Sequence, residues 1–359
     1  MAMMRALCHA APAQVFAVAG RGAARAVRNL RVAKGIDLVD SPRHATVLLI
    51  AGQIPDGWHG EVARLHDQLP HPRAVVRWGV VVQGTERSTF ASVLSDADAT
   101  PVVQQVQREL LEGTRASSPP LGPAQAPVEW QGVGPHGQGG EGMMGGHPYG
   151  RPMAMTGPDL RDGLQLDLLK ATLGPFLASW WPPGLILDVA LQGDVLAQVA
   201  VADARPFARR LDGAAVDIDP GPPTATEIVT DMLVAVGHPV LARRWLLADT
   251  AGRRRLAGRV RWTFSGFSGT RGHNADDGHD LPSLAARWVS AATDRDDLPE
   301  RPLAGVIAVP RLPQLLTGLT WREAAVTIAG LGLDLSHPDA AAEPTPTDTV
   351  SATALRARP

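Results

Sequence analysis

The chain has 359 residues, of which 45% are apolar and 19% are charged, and its formal net charge is −2. This balance excludes disorder over the whole chain, and the length is enough for two ordinary domains. The small net charge gives no global field that would attract nucleic acid, so no nucleic-acid partner is expected.

The single cysteine, Cys8, restricts the chemistry of the chain. A disulfide within the chain is excluded. A self-contained iron–sulfur cluster needs several thiolates, so no cluster and no other cofactor is expected. No run of about 18 apolar residues predicts a transmembrane helix, and the N-terminus has no clear signal layout. A cytoplasmic location is therefore expected.

Residues 1–36 are predicted as an N-terminal helical segment, because apolar residues recur at helical spacing from Val15 to Leu30. Several arginines lie near one face of this predicted helix. They are Arg21, Arg25, Arg28 and Arg31. Two interpretations stay open: a surface helix with solvated arginines, or a helix that docks against an acidic partner or lipid headgroups.

Residues 37–114 predict an α/β domain. Apolar runs that end in glycine predict buried parallel strands at residues 45–52 and 74–79, with a helix at 56–69 between them. A strand, a helix and a strand with short joints form a right-handed βαβ unit. Residues 101–112 predict a closing helix.

Residues 115–150 are rich in proline and glycine, which predicts a linker between domains. His136 and His147 lie in this segment, among several methionines. The methionines in and just after the segment are Met143, Met144, Met153 and Met155. Thioethers and imidazoles could bind copper(I) or guide nickel, and the alternative is a loop without metal.

Residues 151–337 predict an α+β domain, and residues 338–359 predict a disordered tail rich in Ala, Pro and Thr. Apolar residues alternate over 185–191, and a Gly-Asp turn leads into a second strand at 195–199. Residues 163–173 fit either a third strand or a helical turn.

Helices follow in this second domain. Thr224 or Thr226 caps the first, with Glu227 in its first turn. Further helices are predicted at residues 241–247 and 315–328. The three arginines at positions 253–255 are interpreted as a solvated face, with a partner contact as the alternative.

Residues 271–280 bring imidazoles and carboxylates together. The candidate ligands of a divalent metal are His273, Asp276, Asp277 and His279. The alternative is a polar capping loop, since Asp280 leads directly into a predicted helix.

Two stretches resemble one pair of protein families. The sequence from Leu65 to Arg73, LHDQLPHPR, resembles the small iron–sulfur subunit of complex I and [NiFe]-hydrogenases. The turns Gly157-Pro158 and Gly174-Pro175, with the hairpin at residues 187–195, resemble the N-terminal sheet of the large subunit of the same assemblies. The resemblance implies a flavodoxin-like first domain and a fusion of the two subunit types in one chain.

The cluster ligands of these families are missing. The resemblance implies a cluster-binding cysteine soon after Gly79, but Val80 and two further valines follow it. The paired cysteine motifs that hold nickel in hydrogenases are also missing. In complex I a histidine of the first large-subunit hairpin lines the quinone headgroup site, whereas His147 precedes the hairpin.

The resulting fold prediction is an α/β protein, with a flavodoxin-like domain followed by an α+β domain that has an N-terminal antiparallel sheet and several helices. The functional prediction is a non-catalytic structural or adaptor subunit of a complex I-like or hydrogenase-like assembly. Its partners would be the other subunits, including membrane antiporter-like subunits, and it would lie on the inner face of the membrane through them. Two alternatives stay open: a quinone- or metal-binding active subunit of such an assembly, and a soluble metal-delivery protein. No Walker loop, glycine fingerprint or nucleophile elbow indicates a hydrolase, kinase or nicotinamide enzyme.

Overall fold

The computed structural model describes residues 11–20, 22–52, 54, 56–79, 91–93, 98–122, 166–203, 223–267, 280–294, 309–333 and 335. Within these ranges the chain forms two sheets, each with its own hydrophobic core. None of the helices in the described ranges has the length and apolar character that a membrane span requires.

The first domain is built on a sheet of five parallel strands in the order β2-β1-β3-β4-β5. The strands are β1 (Ala13–Ala19), β2 (Ile36–Leu38), β3 (Val47–Ala51), β4 (Ala74–Trp78) and β5 (Ala91–Val93). Every residue of β3 is buried, because the strand lies inside the sheet and is covered on both faces.

Helices cover both faces of this sheet. Helices α1 (Ala24–Asn29) and α3 (Thr100–Glu112) pack on one face, where Val27 and Val106 join the core. Helix α2 (His59–Asp67) packs on the other face through Val62. This strand order with helices on both faces is the flavodoxin-like topology, so the predicted fold of this domain is confirmed.

Residues 1–36 were expected to form a helical segment, and this prediction is wrong for residues 13–19. Residues 13–19 form strand β1, which pairs with β2 and β3 inside the parallel sheet. The run is apolar at almost every position, so Val15 fits a helical period and a doubly buried strand equally well. Among the described residues of this segment, only α1 and the short 3-10 turn Leu30–Val32 that follows it are helical.

The second domain begins with a three-stranded antiparallel sheet in the order β6-β7-β8. Its strands are β6 (Leu168–Leu173), β7 (Ile186–Gln192) and β8 (Val195–Asp203). The hairpin that turns at Gly193 and Asp194 is therefore confirmed, and the undecided stretch before it is a strand.

Helices complete the second domain. They are α4 (Ala225–Ala235), α5 (Pro239–Leu247), α6 (Thr250–Ser265), α7 (Leu281–Asp294), α8 (Leu312–Leu316) and α9 (Trp321–Gly330). Their shared core contains the buried side chains of Met232, Trp245, Phe264 and Trp288. Thr224 caps α4 with a reciprocal capping box, as one of the two predicted cap positions.

Two predictions for the helices are corrected. The single helix expected over residues 315–328 is divided into α8 and α9, because the turn between them pairs with the start of β8. Gly318 N donates to Leu196 O at 2.8 Å, and Leu196 N donates to Leu319 O at 2.9 Å. Thr320 then caps the new helix.

The arginines at positions 253–255 lie in α6. The solvated interpretation is wrong for Arg253, which is half-buried, whereas Arg254 is exposed although it also makes a hydrogen bond. The Nε atoms of Arg253 and Arg254 donate to the carbonyl oxygens of Ala292 and Thr293 at the end of α7, at 3.1 and 2.9 Å. Cations near a helix C-terminus satisfy its free carbonyl groups and oppose its dipole. Arg255 is exposed.

Candidate functional site

Three arginines on the helical turns after β1 point at the second domain. Arg25 and Arg28 lie on α1, and Arg31 lies on the 3-10 turn that continues it. The spacing of three residues places the three side chains along one side of the helical segment. This arginine stripe begins a few residues beyond the carboxyl end of β1, the edge of an open α/β sheet where ligands usually bind.

The partners of the arginine stripe are acids on α4. The Nε atom of Arg25 donates to Glu227 Oε1 at 2.9 Å, and the Nε atom of Arg28 donates to Asp231 Oδ2 at 2.6 Å. The two acids are one helical turn apart, so they match the spacing of the arginines. Glu227 also accepts the N–H of Thr224 through Oε2 at 2.6 Å, which starts the helix.

A third contact continues the stripe. Nη2 of Arg31 donates to the hydroxyl of Ser179, in the loop between β6 and β7, at 2.5 Å. The Ser179 hydroxyl lies 3.5 Å from Asp40 Oδ1 in the first domain. Each of the three arginines therefore connects the first domain with the second.

Burial sets the protonation chemistry of this junction. Burial raises the pKa of Asp231 above its ordinary value, although the positive charges of Arg28 and Arg31 oppose the rise. Partial desolvation raises the pKa of Asp40, whose residue is nonetheless exposed, and burial lowers the pKa of Arg31. Asp231 Oδ1 and Arg31 Nε have no hydrogen-bond partner within the described residues.

An aromatic contact and a backbone contact add to the charge pairs. The rings of Trp58 and Phe176 meet edge to face, with centroids 5.4 Å apart and planes at 85°. Trp58 precedes α2 in the first domain, whereas Phe176 follows β6 in the second and is part of the first domain's core. Nη2 of Arg243 on α5 donates to Val32 O at 3.3 Å. The junction thus has both an apolar and a charged part.

The motif LHDQLPHPR has a structural role in the first domain. The buried side chain of Arg73 donates to the backbone oxygens of His66, Leu69 and Ser118, at 3.0 to 3.3 Å. The carboxylate of Asp67 accepts the N–H groups of residues 121 and 122, both at 2.9 Å. The motif therefore fastens residues 117–122, the start of the predicted linker, to the first domain.

His66 forms a pair with Asp67 that resembles part of a catalytic triad. Its Nδ1 lies 2.8 Å from Asp67 Oδ1, and burial lowers the pKa of the imidazole, which favours the neutral ring. Partial burial raises the pKa of Asp67, but the hydrogen bonds from His66 and the two N–H groups outweigh it and leave the pKa lowered. His66 Nε2 has no partner among the described side chains, so no nucleophile contacts the pair.

The predicted ligand residues lie outside the described ranges. They are His136, His147, His273, Asp276, Asp277 and His279, and the same holds for Cys8 and the loop methionines. Within the described ranges, no group of three or more His, Cys, Asp or Glu side chains could hold a metal ion.

Sequence reasoning identified the arginines but not their partners. The idea that the arginine stripe docks against an acidic partner is right for Arg25 and Arg28, and the partner is the second domain of the same chain. The signal that was available is the composition of α4, which is apolar on every side except for two acids and threonines. A helix of this kind is buried all round, so its carboxylates need cations from elsewhere.

A scan against protein-family models finds no family that matches the chain, and a search of the curated proteins finds no match.

Proposed function

We propose that the protein is a non-catalytic structural or adaptor subunit of a complex I-like or hydrogenase-like redox assembly. In this role the chain holds no iron–sulfur cluster of its own. It lies on the cytoplasmic side of a membrane through its partner subunits.

The observation that carries the proposal is the junction between the two domains. A flavodoxin-like domain is followed in one chain by a domain with an N-terminal antiparallel sheet. The arginine stripe of the first domain is neutralised by acids of the second. Such an arrangement suits a rigid two-domain block that binds partners through its remaining surfaces. Two subunit types that share an interface in the resembled assemblies would here be joined covalently.

The test is purification of the tagged chain from its native host in mild detergent. Mass spectrometry identifies copurifying chains, and iron and nickel are quantified on the same sample. We expect membrane subunits in a constant ratio and no iron bound to this chain. A chain that purifies alone contradicts the adaptor role. Stoichiometric metal on the isolated chain contradicts it as well and favours the metal-delivery alternative, with His136 and His273 among the first residues to replace.

A variant links this test to the junction. Arg28→Asp places a second acid beside Asp231 and so disrupts the contact between the two domains. If the partners bind the two-domain block, smaller amounts of them should copurify with this variant. Arg43→Asp makes the same change at an exposed position of the first domain and serves as the control. If equal amounts of the partners copurify with both variants, partner binding does not depend on the junction between the two domains.

A further inference from the structure

Helices α5 and α6 carry a second concentration of positive charge, besides the arginines near α1. Residues 239–267 contain seven arginines and one aspartate, a net charge of +6 in a chain whose net charge is −2. Helix α6 itself has no acidic residue. This part of the second domain therefore has a local field opposite in sign to the net charge.

The outer face of α6 is formed by Arg255, Arg259 and Trp262. These positions follow each other at four and three residues, so their side chains share one line along the helix. All three are exposed, whereas Val260 and Phe264 on the opposite face are buried in the core. We call this line the basic–aromatic face.

The two arginines of this face are available for a partner. Unlike the guanidinium groups of Arg253 and Arg254, those of Arg255 and Arg259 make no hydrogen bond or ion pair with any described residue. An unpaired guanidinium next to an exposed indole can bind a phosphate through two parallel N–H groups while the indole inserts beside it.

Exposed apolar side chains accompany the charge. Trp262 is 77% exposed, Val240 is 67% exposed and Leu247 is 62% exposed, the highest values among the large hydrophobic side chains of the described residues. All three lie on α5 and α6, and Leu247 ends α5 shortly before α6 begins. Arginine mixed with tryptophan and aliphatic side chains, with Asp249 as the one acid of this region, is typical of surfaces that lie in a membrane interface.

We infer that the basic–aromatic face of α6 binds directly to an anionic phospholipid surface. The face is the convex outer side of a helix, and a fluid bilayer adapts to a convex surface, whereas a folded acidic partner would need a matching groove. The arginines pair with lipid phosphates, and Trp262 enters the interface beside them. The inference is independent of the proposed adaptor role, because it concerns the purified chain alone.

The test is sedimentation of the purified full chain with vesicles. Vesicles of phosphatidylcholine with about one third phosphatidylglycerol are compared with pure phosphatidylcholine, at low and high salt. We expect binding to the anionic vesicles only, and weakening by salt. Each arginine near an anionic surface contributes about fivefold, so Arg255→Gln/Arg259→Gln should weaken binding about 25-fold. Trp262→Ser should weaken it about tenfold.

Matched controls remove the same groups elsewhere. Arg43→Gln/Arg322→Gln deletes two exposed arginines outside this face, and Leu169→Ser deletes an exposed apolar side chain of β6. Both controls should bind like the unchanged chain, and circular dichroism checks that every variant is folded.

Several outcomes would overturn the inference. They are no binding of the unchanged chain to anionic vesicles, equal loss in the control and test variants, or tighter binding to polyglutamate or to duplex DNA than to the vesicles. The copurification experiment in detergent does not depend on any of them, so a failure here leaves the adaptor role to its own test.

Discussion

The substitution Arg28→Met measures how much one charge pair between the two domains contributes to the free energy of unfolding. The substitution keeps most of the apolar stem and removes the guanidinium whose Nε lies 2.6 Å from Asp231 Oδ2. The two side chains are only 12% and 5% exposed, so water replaces little of the lost contact. Removing one partner of a buried pair costs about 3–5 kcal/mol, because it leaves an uncompensated charge. Asp231 keeps the nearby charge of Arg31, so we expect the lower end, about 3 kcal/mol at pH 7.

The measurement is urea unfolding followed by tryptophan fluorescence and circular dichroism. A loss of about 3 kcal/mol changes the unfolding constant about 150-fold, well outside experimental error. The control is Arg28→Met/Asp231→Leu, which removes both charges and should return to within about 1 kcal/mol of the unchanged chain. The reasoning is refuted if the single variant lies within about 0.5 kcal/mol of the unchanged chain, or if the double variant is less stable than the single one.

The same comparison at lower pH has a defined sign. Removing Arg28 raises the pKa of Asp231 in the folded state still further, because burial then acts with less opposition. In the unfolded chain the carboxyl group of Asp231 has its ordinary pKa of about 3.9. On acidification from pH 7 the folded variant therefore takes up a proton at Asp231 before the unfolded chain does. The stability difference between the unchanged chain and Arg28→Met should therefore shrink as the pH falls. A difference that stays constant or grows would contradict the burial of a charged Asp231.

Three further predictions concern the packing around the junction and the motif. Phe176→Ala should cost about 3–5 kcal/mol, and a double-mutant cycle with Trp58→Ala should give a coupling of about 0.5–1.5 kcal/mol; zero coupling would mean that the edge-to-face contact contributes nothing. Burial lowers the pKa of His66, so the unfolded chain binds its proton first, and the free energy of unfolding should fall as the pH drops below about 6.5. His66→Gln should lack this component, which pH-dependent unfolding curves measure directly. Gly174→Ala should destabilise far more than Gly113→Ala, since both glycines have positive φ but only at Gly174 would a Cβ collide with a backbone carbonyl oxygen; equal melting temperatures would refute this.

The elements with a strong local pattern could be predicted from the sequence. The helix α3 and the hairpin of β7 and β8 each combine a clear period with a glycine or proline at the boundary, and the buried strand β3 is a short apolar run that ends in glycine. Strand β1 could not be assigned, because an apolar run that is covered on both faces has no alternation to distinguish it from a helix. The break between α8 and α9 depends on pairing with β8, a contact that no local pattern contains.

The candidate site was predictable only in part, for a related reason. The arginine stripe is visible as a local spacing, but the acids that neutralise it are about two hundred residues away. Asp231 in an otherwise apolar helix indicates that a buried cation is needed, without indicating which of the arginines supplies it. The motif around His66 and Arg73 was recognised from its amino-acid sequence. Its hydrogen bonds to residues 117–122 could be identified only from the three-dimensional structure.

The long sequence separation of the charge pairs has a consequence for synthesis on the ribosome. Arg25 and Arg28 precede their partners Glu227 and Asp231 by 202 and 203 residues. At elongation rates of about 5–20 residues per second, the partners are made roughly 10–40 seconds later. Throughout that interval Arg25 and Arg28 of the nascent first domain lack these two acidic partners. Completion of α4 therefore supplies the two acids, and a ribosome stalled before residue 225 would leave Arg25 and Arg28 without them.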